Sequence, residues 1–164
     1  MKSNEIIAKR DNLSKEITNY WTIIKSTNVV DKSYQRKYDL KGILTFIEKL
    51  AKERITMKLY SQCINMGYKK ASEMPSNSIF PVIFELSEIN EQYVQLGLIP
   101  TLDPNLKSKK GKKNLDKKEE LTTQYIKKLR DSLMLKIIEL KKKLSDYNNE
   151  AELDTTSPLM YLAA

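Results

Sequence analysis

Only four glycines and five prolines punctuate the 164 residues of this chain, and the stretches between them are long. Sheets need frequent turns, so a chain this poor in turn-formers folds into few, long elements. The spacing of its large apolar residues says that these elements are helices. Ile6, Leu13, Ile17, Tyr20 and Ile24 recur at steps of seven, four, three and four, one stripe of a helix from about Ser3 to Thr27. Arg10 takes the vacant place in that stripe, and Trp21 and Ile23 widen it.

A second helix is expected from about Asp39 to Met66, carried by Leu40, Ile43, Leu44, Ile47, Leu50, Ala51, Ile55, Leu59 and Ile64. Gly67 suits the left-handed turn that ends it. The polar stretch 28–39 reads as a connection, so the two helices fold back as an antiparallel hairpin. A third helix runs from Pro81 to Leu96, with proline in its first turn and Gly97 behind it. The last helix is expected to start near Asp116, because Asp116 and Glu119 have the spacing of a capping box. It continues through Ile126, Leu129, Leu133, Ile137, Leu140, Leu144 and Tyr147, a rod of roughly 48 Å at 1.5 Å per residue.

The expected fold class is therefore all-α: a long antiparallel helical hairpin, a short third helix and a long C-terminal helix, as a four-helix bundle or coiled-coil-like assembly. The expected division is a hairpin with third helix over 1–96, a Pro/Lys-rich connection over 97–115, the long helix over 116–150 and a tail over 151–164. Forty per cent apolar residues against 30% charged is a globular balance rather than a disordered one. The lone Cys63 permits no internal disulfide and reads as a buried, inert thiol. No apolar run approaches the roughly 20 residues of a membrane span, and the first ten residues do not form a signal peptide. A cytoplasmic location is the expectation.

Histidine is absent, which removes the commonest general base, the Ser-His and Cys-His pairs and the commonest metal ligand. Cys63 alone builds no thiolate zinc site. Gly111 among lysines lacks the first glycine and the following Ser or Thr of a phosphate loop. The carboxylate pairs Glu48 with Glu53 and Glu119 with Glu120 read as solvated helix faces. No catalytic, cofactor-binding or metal-ligating residue is expected, no cofactor is implied, and the chain is not read as an enzyme.

Two features are left to carry function. From Lys107 to Lys118 seven lysines stand against one acid, Asp116, so this stretch holds +6 of the chain's net +8. Lys107, Lys109, Lys110, Lys112, Lys113, Lys117 and Lys118 suit contacts to nucleic-acid phosphates, which release counterions and weaken with salt. No aromatic residue is interleaved among them, which argues against base stacking within that stretch. The plainer reading is a solvated linker in a chain whose lysine excess follows AT-rich codons. The second feature is the seam Ile126, Leu133, Ile137, Leu140 and Leu144, either a contact for a protein partner or homo-oligomer, or internal core.

The expected function is a structural or interaction protein presenting helical surfaces, and the alternative is a small nucleic-acid-binding accessory protein. The terminal Leu162-Ala163-Ala164 resembles the end of the tag that bacteria append to stalled translation products, which would imply rapid turnover; chance or core packing is the plainer reading, since small apolar ends are common.

Overall fold

The computed structural model describes residues 1–102 and 116–163. Four long helices account for most of them: α1 (Ser3–Thr27), α2 (Leu40–Asn65), α3 (Phe80–Gly97) and α4 (Thr123–Glu150). Two three-residue strands, β1 (Val29–Asp31) and β2 (Lys117–Glu119), pair antiparallel, and a short helix α5 (Met160–Ala163) lies in the tail. The all-α class expected from the spacing stands.

Helix directions follow from which residues meet. Along α1 and α2, Ser14 bonds Arg54 and Tyr20 packs edge-on against Phe46, so position rises on one helix as it falls on the other. Lys58 reaches Phe84 while Arg54 reaches Glu88 and Glu91, so α2 and α3 are antiparallel as well. Arg130 sits on the Tyr93 ring, and Val82 faces Lys143 and Tyr147 across a surface cleft, which makes α3 and α4 antiparallel. Trp21, Leu44, Leu96 and Leu129, one from each helix, line a common crevice toward the end where α1 finishes and α2 starts. The result is an up-down-up-down bundle.

Its main core gathers Ile6, Leu13, Ile17, Trp21 and Ile24 from α1 with Leu40, Ile47, Leu50 and Met57 from α2, closed by Leu96, Ile99, Leu121 and Ile126. A smaller cluster, Ile89 with Ile137 and Leu140, joins α3 to α4. The α1 stripe is as its spacing predicts, except that Arg10 lies at the edge and turns to Asp11. Gly67 adopts φ +80°, the left-handed conformation expected behind α2. Cys63 is buried, whereas Ile64 is 40% exposed; the buried face of α2 turns through Met57 to Cys63 and leaves Ile64 outside.

Two expectations need correction. The stretch 28–39 is not a plain connection, because it opens with β1. Nor does the last helix begin near Asp116: it has 28 residues, and its N-cap is Thr122, whose hydroxyl accepts from the Tyr125 amide at 3.0 Å. Both errors have one cause. Residues 117–119 satisfy their backbone groups against Val29–Asp31, 86 to 90 positions earlier, and so stay extended where a local capping signal favoured helix.

Candidate functional site

The end of the bundle where α1 finishes and α2 starts is built around one polar side chain. Asn28 is fully buried, and a buried amide is stable only with its hydrogen-bonding capacity filled. Its Nδ2 donates to the carbonyls of Pro100 at 2.8 Å and Leu121 at 2.9 Å, and its Oδ1 accepts from the Leu121 amide at 2.7 Å. Its own carbonyl, with that of Thr27, accepts from the Arg36 guanidinium, which caps the end of α1.

Two carboxylates complete the clamp. Glu120 accepts from the Leu40 amide at 2.8 Å, placing a negative charge at the positive end of α2. Glu119 accepts from the Leu102 amide at 2.6 Å. The Lys32 amide donates to the Asp116 carbonyl at 2.8 Å, beyond the register Val29 to Glu119, Val30 to Lys118 and Asp31 to Lys117. Glu119 and Glu120, read from sequence as solvated, are structural anchors. Both flanks of the lysine-rich stretch, Leu102 and Asp116, are thus fixed at this end.

The described lysines of that stretch are both engaged. Lys117 pairs with Asp31 at 2.6 Å, and the Lys118 ammonium donates to the Tyr34 carbonyl. Lys107, Lys109, Lys110, Lys112 and Lys113 lie outside the described residues, as does Ala164 of the terminal Leu162-Ala163-Ala164.

β1 leads into a second cationic segment that sequence reading passed over. From Lys32 to Lys41 the chain carries Lys32, Arg36, Lys37 and Lys41 against the single acid Asp39. Tyr34 and Tyr38 stand among them, 36% and 45% exposed. Lys32, Lys37 and Lys41 are exposed too, and the Lys41 ammonium lies 4.6 Å from the centre of the Tyr125 ring. The alternation of lysine and tyrosine was visible in the sequence, but only the strand pairing brings it beside Lys117 and Lys118.

The seam on α4 is mostly used within the chain. Ile126 joins the main core, Ile137 and Leu140 form the smaller cluster, Leu133 packs against both, and Leu144 is half-buried. The apolar residues that α4 turns outward are Leu135 and Ile138, 71% and 58% exposed, and Tyr147, expected on the inner stripe, which is 42% exposed.

Deeper inside, Arg54 and Glu88 form a buried pair between α2 and α3. Arg54 donates from Nε and Nη2 to the two Glu88 oxygens, from Nη2 also to Glu91, and from Nη1 to Ser14 at 3.2 Å. Lys58 adds a contact to Glu88 at 3.1 Å. Burial opposes the charge on Arg54, but the hydrogen bonds and charges of Glu88 and Glu91 outweigh it and raise its pKa above the ordinary arginine value. Two cations and two carboxylates balance, so the group holds three helices in register and has no charge left for a ligand. Beside it a groove of about 380 Å³ runs between Ala51, Ile55, Pro81 and Ile89, with Glu48, Glu85, Lys52 and Lys136 at its rim.

Among the described residues no cluster of His, Cys, Asp and Glu suits a metal ion, and no helix is long and apolar enough to cross a membrane. Comparison with protein-family models, with curated proteins and with solved structures finds no match to this chain.

Proposed function

We propose that the chain is an interaction protein in which the helical bundle is a scaffold and the cationic end is the contact surface for a polyanion, nucleic acid above all. One observation carries this reading: the β1–β2 clamp gathers the segment Lys32–Lys41 and both flanks of the lysine-rich stretch at a single end. Cations gathered on one rigid end act on the same run of phosphates, each releasing counterions as it binds. Lysine is a point charge rather than a planar fork, so the contacts fall on backbone rather than base edges.

Replacing Lys109, Lys110, Lys112 and Lys113 with Gln tests the reading by fluorescence anisotropy on labelled oligonucleotides. Weaker binding and a shallower dependence on salt are expected. Binding indifferent to salt and to the replacements removes it.

A second reading, self-association or docking to a protein through α4, is favoured by the outward pair Leu135 and Ile138. The seam proposed from sequence is largely covered inside the chain, so this contact would rest on the outer face instead. Sedimentation across a wide concentration range separates the two readings. A monomer throughout, unchanged by Leu135→Lys, leaves the polyanion reading alone.

A further inference from the structure

We infer that the segment from Lys32 to Lys41 is a binding surface for single-stranded nucleic acid, with Tyr34 and Tyr38 as stacking platforms and Lys32, Lys37 and Lys41 as phosphate contacts. The inference rests on the polyanion reading and specifies its ligand. It uses only residues placed at the clamp.

The tyrosines carry the argument. A large aromatic side chain ordinarily packs on the core, as Tyr20 of α1 and Tyr125 of α4 do. Tyr34 and Tyr38 do not, being 36% and 45% exposed. They also sit on a backbone that is unusually well tied for a connection. The Tyr34 amide donates to Asp31 at 2.9 Å and the Tyr34 carbonyl accepts from Lys118. Arg36, between the tyrosines, is bound to the carbonyls that end α1, and Leu40, just beyond them, is held by Glu120. Two partly exposed aromatic rings therefore lie on a segment tied down at Tyr34, Arg36 and Leu40, which spares part of the ordering cost on binding.

The cations around them select the ligand class. Arg36 is spent on the end of α1, Lys117 on Asp31 and Lys118 on Tyr34, whereas Lys32, Lys37 and Lys41 are exposed. Aromatic faces alternating with point charges match an unpaired strand, whose bases have open faces and whose phosphates recur along one edge. A duplex hides its base faces in the stack and offers only the phosphates. Anionic lipid and acidic protein surfaces also take lysines and tyrosines together, so the competitors in the test separate those ligands from a strand.

The test measures anisotropy of the full chain with a labelled oligothymidylate and a duplex of equal length, with dextran sulfate and vesicles of anionic lipid as competitors. The single strand is expected to bind tighter than the duplex by about tenfold or more. Tyr34→Ala with Tyr38→Ala should lose most of that preference, and Tyr34→Phe with Tyr38→Phe should retain it, since the ring face survives. The triple replacement Lys32→Gln, Lys37→Gln, Lys41→Gln should flatten the salt slope by about 2, from roughly 0.7 per phosphate contact.

Equal binding of strand and duplex, with alanine variants as tight as the parent, overturns the stacking inference. If the lysine variants still weaken binding in that case, the polyanion reading stands without it. Competition by vesicles or dextran sulfate that abolishes strand binding at matched charge also overturns it. No binding of any polyanion removes both. All five positions are exposed, so an unchanged circular dichroism spectrum is expected, and it guards against loss by misfolding.

Discussion

Arg54 shows how far a residue's meaning depends on what the fold brings to it. In the sequence it is one charge on an amphipathic helix; in the structure its side chain is 8% exposed and bonds two other helices, α1 and α3. Nothing in its neighbourhood along the chain announces Glu88, which lies 34 positions away. Removing one partner leaves the other buried with incomplete compensation, so Glu88→Ala should cost about 3–5 kcal/mol in urea unfolding. Replacing both Arg54 and Glu88 with leucine should cost clearly less than Glu88→Ala alone, because the two most buried charges leave together and Lys58 and Glu91, which remain, reach solvent. The raised pKa fixes the sign of the pH dependence. A cation held above its ordinary value contributes fully below that value and loses its contribution only as pH rises past it. Unfolding measured up to about pH 10 should therefore show no alkaline loss that disappears in Arg54→Leu, since arginine stays protonated there.

At the scale of elements, the helices were legible because their signals are local and repeated. Five apolar positions set the α1 stripe, and a single glycine marks the end of α2. β1 and β2 were not legible, for they are three residues each and have no period to read. Two caps competed for the start of α4, Asp116 and Thr122. The strand pairing, a contact between distant segments, decided for Thr122. Asn28 is what holds that pairing to the helices, so Asn28→Ala should cost about 2–3 kcal/mol through the partners it leaves unpaired. Hydrogen exchange should accelerate at residues 29–31 and 117–119 before it does so in the middle of α1. On α4 the two faces should behave differently. Ile137→Ala opens the α3–α4 cluster and should cost about 2–5 kcal/mol, whereas Leu135→Lys, 71% exposed, should stay within about 0.5 kcal/mol.

Taken as a whole, the molecule is a helical bundle with a two-stranded clamp at one end. The lysine excess was plain in the sequence, since +6 of the net +8 falls between Lys107 and Lys118. Its companion segment was not, because Lys32–Lys41 lies some seventy positions earlier and reads by itself as an ordinary polar connection. The clamp of Asn28, Glu119 and Glu120 brings the segment Lys32–Lys41 together with Leu102 and Asp116, the flanks of the lysine-rich stretch, and the up-down-up-down path puts them at the end opposite the C-terminus of α4. The measurement that tests this most directly is an amide chemical-shift titration of the full chain with a short single-stranded oligonucleotide. The account predicts perturbations concentrated at residues 28–41 and 116–122, fading as salt rises. Perturbations centred instead on Leu135 and Ile138, on the tail beyond Glu150, or nowhere at saturating oligonucleotide would contradict it.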